Sequence, residues 1–186
     1  MWKRFETDEE LMRKLVEDGE EECYDELCRR YERRLERFCE GWLGNRQDAE
    51  DVTCVTLTKG YRNRRKYRGR YTFQTWIFRI ATNSCIDLLR RKSNRSEAAV
   101  SADEIQSNSK TPPSELLRDE TLRAVFECLQ ELPAEQRTIA SLRVDKKMTF
   151  QAISEIVGRG LTTVHAIWGR TRQSLMRCLK RKGIRI

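Results

Sequence analysis

What is scarce in these 186 residues narrows the reading first. Three prolines and nine glycines leave few places where a helix must break or a hairpin must turn. Sustained helical periodicity over the rest points to an all-α fold. A single histidine, His165, and seven cysteines without a C-x-x-C pair cannot assemble the usual zinc spacings. Those cysteines, Cys23, Cys28, Cys39, Cys54, Cys85, Cys128 and Cys178, fall mostly inside helical patterns. They read as reduced thiols acting as small hydrophobes, which places the chain in a reducing cytoplasm. No apolar run approaches the ~20 residues that cross a bilayer, and the N-terminus is acidic rather than signal-like, so no membrane is expected. Neither a metal nor a cofactor is expected.

Charge is present in quantity and in blocks. Residues 1–60 carry eleven Lys/Arg against seventeen Asp/Glu, and residues 61–97 eleven against two. Residues 98–134 carry three against seven, and residues 135–186 twelve against three. Two basic blocks alternate with two acidic ones, the pattern of a protein that holds an anionic polymer at two places and another partner through its acidic surface.

The stretch from Tyr71 to Lys92 superimposes two patterns on one helix. Trp76/Ile77, Ile80/Ala81, Ser84/Cys85 and Leu88/Leu89 form a core-facing stripe. Arg79, Asn83, Asp87 and Arg90 stand one above another on the opposite face. By default such a face is merely solvated. The preceding residues 61–73 interleave six Arg/Lys with four aromatics, which suits a phosphate backbone with stacked, unpaired bases.

The chain in order supports two small domains. Thr7 is a plausible N-cap with acidic residues after it, Gly19 ends that helix, and an amphipathic helix follows from Glu20 to Leu43. Gly44 and Asn45 break the pattern, and Asp48 can cap the next helix with Asp51 three residues on. Residues 93–117 hold six serines and Pro112-Pro113, the composition of a flexible linker. Helical period returns from Ser114 and continues through a short helix from Ala134 to Val144. Thr149 to Val157, the Gly158-Arg159-Gly160 turn and Leu161 to about Lys180 then make a helix-turn-helix. Val164, Ile167/Trp168, Leu175 and Leu179 face the core, and Thr162, Thr163, His165, Ala166, Gly169 and Arg170 lie on or beside its groove-facing part. Lys180, Arg181, Lys182 and Arg185 form a basic tail.

DAEDVT at 48–53 and RGRYTFQTWIFRIATNSCIDLLRRK at 68–92 resemble the second conserved region of the bacterial extracytoplasmic-function sigma factors. LQELPAEQR at 129–137, with the helix-turn-helix after it, resembles their fourth region. The resemblance implies a region-2 domain over 1–93, a linker over 94–115 and a region-4 domain over 116–186. It implies core RNA polymerase as a partner, docked on Asp48, Glu50, Asp51, Cys54 and Leu57. Cys54 and Val55 stand where relatives usually carry Gln and an acidic residue. It implies promoter DNA as the second partner. Asn83, with Arg68, Gly69, Arg70, Tyr71 and Thr72 around it, would take a minus-ten base extruded from the non-template strand, Arg79, Arg90, Arg91 and Lys92 would hold phosphates, and Asp87 would line the same face. The helix-turn-helix would read the minus-thirty-five duplex, although Arg159, Gly160 and Ile167 depart from the family's common residues. An anti-sigma protein is a further implied partner, and no catalysis of its own is implied.

Two readings of another class stay beside this one. A homodimeric operator-binding regulator would use the helix-turn-helix without polymerase. A nuclease would use Asp48, Glu50 and Asp51 as metal ligands, but no histidine or second acidic cluster completes such a site.

Overall fold

The computed structural model describes residues 6–99, 120–144 and 148–184. Among these residues the regular elements are all helical: α1 (Asp8–Glu17), α2 (Glu22–Leu43), α3 (Arg46–Arg62), a 3-10 turn (Arg64–Lys66), α4 (Phe73–Ala99), α5 (Glu120–Gln130), α6 (Ala134–Val144), α7 (Phe150–Val157) and α8 (Leu161–Arg181).

Local chemistry sets most of the boundaries. The Thr7 hydroxyl accepts from the Glu10 amide at 3.2 Å, and the Glu10 carboxylate accepts from the Thr7 amide at 2.7 Å, closing a capping box on α1. Helix α3 is capped by Asn45 rather than by Asp48: the Asn45 side chain accepts from the Asp48 amide at 2.9 Å. Asp48 already lies inside the first turn, so its carboxylate is not the cap. Helix α4 continues beyond residue 93 to Ala99, into the expected linker. Residues 100–119, which hold the rest of that linker with Leu116 and Leu117, lie outside the described residues.

The α4 stripe is rotated from the expected one. Phe73, Ile77, Phe78, Ala81 and Cys85 are fully buried, Trp76 is half-buried, and Leu89 is 37% exposed. Tertiary packing decides this. Phe73 meets Tyr31 edge-on at 5.1 Å and Phe78 meets Phe38 at 5.5 Å, so α4 turns its large rings toward α2.

Helix α2 is the axis of the molecule. One side packs against α1, α3 and α4, and its C-terminal end receives α5 and α6. Helix α7 lies against α4, and α6, α7 and α8 pack on one another. The buried cluster is accordingly continuous from Leu11, Leu27 and Trp42 to Ile139, Leu142, Ile153 and Val164. The two halves expected on a loose tether are docked.

One cysteine expectation is overturned: Cys128 on α5 and Cys178 on α8 form a disulfide across 50 residues of sequence. Period alone gave no pairing, because the two meet only when α5 lies along the C-terminal half of α8. The other five are free thiols; Cys23, Cys39 and Cys85 are buried, and the Cys85 and Cys39 sulfurs stand 3.8 Å apart in the core.

Candidate nucleic-acid interface

The basic loop before α4 is held from beneath and open above. The Tyr67 ring packs at 5.4 Å from Trp76 and 6.4 Å from Phe73, and its hydroxyl donates to the Tyr71 carbonyl at 2.9 Å. Burial pushes that phenol up to about 12, so it stays a donor at neutral pH. The hydrogen bond closes the segment between Tyr67 and Tyr71. Arg68, Gly69 and Arg70 are therefore displayed on the outside, exposed, with the Arg70 guanidinium 5.4 Å from the half-buried Tyr71 ring. The Thr72 hydroxyl accepts from the Thr75 amide at 3.2 Å, and Glu9 on α1 accepts from the Phe73 amide at 3.1 Å. Both groups satisfy first-turn donors of α4.

Above this anchor the polar ladder faces outward. Arg79, Asn83, Asp87, Arg90 and Arg91 are all exposed. Asp87 also has a neighbour on α3: its carboxylate stands 3.6 Å from the Lys59 ammonium, which donates to Ser84 at 3.0 Å. Asp87 is thus an acceptor already biased toward a protein cation. Lys92, a candidate for phosphate, instead stands 2.5 Å from the half-buried Asp48.

The acidic face of α3 is divided in the same way. Glu50 pairs with Arg46 at 2.7 Å, whereas Asp51 and Cys54 are exposed. Leu57 is half-buried against the core, and its carbonyl accepts from the Tyr24 hydroxyl at 2.6 Å. It offers a partner less surface than its sequence position implied. Val55, next to Cys54, is 44% exposed.

The second candidate surface is the N-terminal half of α8. Thr149 caps α7 by accepting from the Ala152 amide at 3.1 Å. Gly158 then takes a φ of +68°, a left-handed conformation that costs a side-chained residue ~1–2 kcal/mol. The chain turns there and re-enters a helix at Leu161, with Val164 and Ile167 buried as expected. Thr162, Thr163, His165, Ala166, Gly169 and Arg170 all remain exposed. The His165 ring lies 4.2 Å from that of Phe150, which fixes its direction. Arg159 is tied to Glu135 on α6 at 2.8 Å. The basic tail is also partly engaged: Arg181 reaches Glu131 at 2.5 Å and Lys182 reaches Glu127 at 2.7 Å, while Arg185 lies outside the described residues.

Sequence reasoning missed Glu9, Tyr67, Gln130 and Thr138, whose roles here are contacts between distant segments. Only Tyr67 left a signal, as an aromatic among arginines. Among the described residues no group of three or more His, Cys, Asp or Glu could hold a metal ion. Among the described residues no helix is long and apolar enough to cross a membrane.

These features agree with the comparisons. Residues 27–95 match sigma-70 region 2. The chain is 28% identical over 178 residues to the extracytoplasmic-function RNA polymerase sigma-E factor of Haemophilus influenzae, covering 91% of this chain and 93% of the relative. It is 26% identical over 184 residues to the RNA polymerase sigma-H factor of Pseudomonas aeruginosa, covering 94% and 95%. Among solved structures, the sigma factor RpoE of Bartonella quintana, in complex with the anti-sigma factor NepR, superposes with a TM-score of 0.71 at 20% identity, over 84% of this chain and 96% of that one. CnrH in complex with the cytosolic domain of CnrY gives a TM-score of 0.72 at 20% identity, over 95% and 99%. The fold and the sequence thus define a sigma factor of the sigma-70 type. Within that class, the chain belongs to the extracytoplasmic-function group of RNA polymerase sigma factors.

Proposed function

We propose that the protein directs core RNA polymerase to promoters whose minus-thirty-five element is read by α8 and whose minus-ten element is melted and held by the Arg68–Thr72 loop and the outer face of α4. A cationic loop and helix face, Arg68, Arg70, Arg79, Arg90 and Arg91 around Asn83, stands exposed with its helix start held by Glu9, and a second exposed polar face with Thr162, Thr163, His165 and Arg170 stands on α8 of the same chain; that observation carries the reading. Asn83 donates and accepts at once, as reading an extruded base requires. Arg79, Arg90 and Arg91 would meet phosphates and supply affinity without sequence information. Asp48, Glu50, Asp51, Cys54 and Leu57 mark the side of α3 offered to polymerase. The polymerase performs the chemistry, in the cytoplasm, and the sigma factor contributes recognition and strand separation.

The division into a region-2 unit over 1–93, a linker over 94–115 and a region-4 unit over 116–186 is part of this proposal. An anti-sigma protein is a fitting regulator, since both solved neighbours are recorded in complexes of that kind or with a cytosolic partner domain. Transcription in vitro with core polymerase on a genomic promoter library tests the function directly. Initiation at a defined set of start sites is expected only when the protein is added. A purified chain that shifts duplex promoter DNA as a dimer, and gives no initiation with polymerase, would establish the operator-binding regulator instead.

A further inference from the structure

Two pairs of cysteines stand within reach of each other, and they lie in opposite surroundings. Cys39 and Cys85 sit deep between α2 and α4, with their sulfurs 3.8 Å apart and no bond between them. The hydrogen bond to Cys39 and burial both push the Cys85 thiol up, so this pair stays protonated and inert. Cys128 and Cys178 are bonded and lie in a satellite cluster with Ala124 and Leu179. Cys178 is 6% exposed against 1% for Cys128. Beside it stands the Arg181 guanidinium, which donates to the Cys178 sulfur at 3.7 Å from a side chain that is itself 67% exposed. Movement of one solvated side chain therefore opens a way to that sulfur.

Position in the chain gives the bond its consequence. The stretch from Cys128 to Cys178 contains α6, α7, the Gly158 turn and the N-terminal half of α8, so the bond closes a loop around the whole helix-turn-helix. Closing such a loop stabilises what it encloses by restricting the unfolded chain. Without the bond, α5 and the end of α8 are joined by Ala124, Leu179 and their partly buried neighbours, and by exposed ion pairs that contribute little in water. Leu129 and Leu132 keep α5 in a second small cluster, so opening the bond loosens the unit without dispersing it. The proposed task lies in the cytoplasm, where glutathione and thioredoxin reduce thiols and a disulfide is ordinarily transient, catalytic or redox-sensing.

We propose that Cys128 and Cys178 form a redox modification site whose substrate is an anionic low-molecular-weight disulfide, and that closing the bond strengthens minus-thirty-five reading by the loop it encloses. The second part rests on the promoter reading. The end of α8 carries Arg177, Lys180, Arg181 and Lys182, all exposed, against Glu127 and Glu131 on α5, a balance that favours a small disulfide bearing carboxylates. Deprotonated Cys178 attacks one sulfur of that disulfide, forming a mixed disulfide and expelling one small thiolate. Deprotonated Cys128 then attacks the Cys178 sulfur, forming the Cys128–Cys178 bond and expelling the second. Two protein thiols lose two electrons, one small disulfide gains them, and the two protons end on the small thiols. Excess small thiol drives the same steps backwards.

The test uses the full chain with core polymerase in glutathione buffers, with oxidised glutathione as the probe. Alkylation followed by mass spectrometry reads each cysteine. From the reduced chain, the Cys128–Cys178 bond is expected to form while Cys39 and Cys85 stay unmodified, and to open again in a buffer poised at the cytosolic value. Cys128→Ala should trap the glutathione adduct on Cys178. Binding of the holoenzyme to the upstream duplex is expected to rise about fivefold as the bond closes, with initiation on a pre-melted template unchanged. Cys128→Ala with Cys178→Ala retains the exposed Cys54 and should hold upstream binding at the lower level in every buffer. The wild-type titration decides the matter even where that variant folds poorly. A bond that stays closed at the cytosolic poise overturns the modification site. Upstream binding that ignores the state of the bond overturns the control. A bond that exchanges in a chain directing no transcription leaves the modification site standing, removes the promoter reading, and removes the control with it.

Discussion

The two halves of the molecule are stabilised by different means. The N-terminal half packs large buried rings between α2 and α4, Tyr31 and Phe38 against Phe73 and Phe78, and closes its first helix with a short-range cap, the Thr7–Glu10 box. Among the described residues of the C-terminal half, the rings Phe126, Phe150 and Trp168 are only half-buried. Two of its buried clusters are small, one of Ala124, Cys128, Cys178 and Leu179 and the other of Leu129, Leu132 and Ala140. It supplements them with a disulfide, with the ion pairs of Lys182 to Glu127 and Arg181 to Glu131, and with its contacts on the end of α2. A unit near the lower size limit for an independent core needs such staples. The placement teaches where the molecule can yield: α5 is held at one edge by a covalent bond and at the other by contacts that can part.

The comparison can be broken most severely at the disulfide. Opening a loop of 50 residues is expected to cost ~4 kcal/mol by chain entropy. Cys128→Ser with Cys178→Ser, or treatment with a dithiol, should lower the unfolding midpoint of region 4 and leave that of region 2 almost unchanged. Superimposable melting curves would show that the small clusters suffice.

Next in size are the two reading faces. Asn83→Ala should weaken minus-ten opening by ~1–3 kcal/mol, the scale of a lost base-edge contact, with polymerase binding intact. Arg170→Ala should reduce binding at the minus-thirty-five duplex and spare opening on a pre-melted template. Equal loss of polymerase binding by Asn83→Ala would make that side chain structural, and full upstream binding by Arg170→Ala would remove it from the groove.

A finer distinction separates affinity from reading. Arg90→Ala and Arg91→Ala should each reduce the salt dependence of promoter binding by about one charge, without changing sequence preference. A changed preference at constant salt slope would transfer these residues to the reading set.

The smallest effect expected is a pH dependence confined to region 4. The hydrogen bond from Lys182 holds the Glu127 carboxyl below the ordinary carboxylate range. A depressed folded value stabilises at pH above the ordinary range, and the contribution is lost as pH falls through the lowered value. The side chain is about half exposed, so the pair contributes less than ~1 kcal/mol. Glu127→Gln should flatten the acid limb of the region-4 melting profile by that small amount. An unchanged limb would assign the slope elsewhere.

Helix existence and many of the buried positions were legible in the residues alone, because amphipathic period is a local signal. The α1 cap at Thr7, the helix-turn-helix with its Gly158 turn, and the inward Val164 and Ile167 follow from spacing and turn chemistry. So does the exposure of Arg79, Asn83 and Arg90, which a four-residue step dictates once Ile77, Ala81 and Cys85 are inside. Other features could not be read that way. The rotation of the α4 stripe toward Phe73 and Phe78, the Cys128–Cys178 bond, the Glu9 contact to the Phe73 amide and the cap on α2 each join segments distant in sequence.

The order of residues by itself determined which surfaces are cationic, which faces are apolar and where the chain must turn, since those depend on side-chain identity and on neighbours three or four positions away. Only the tertiary structure decided that the exposed faces of α4 and α8 share one compact body, that Lys92 and Lys182 are engaged by carboxylates, and that the end of α2 is closed by Gln130 and Arg137. Those outcomes depend on which distant groups meet when the helices pack, and no local period encodes that.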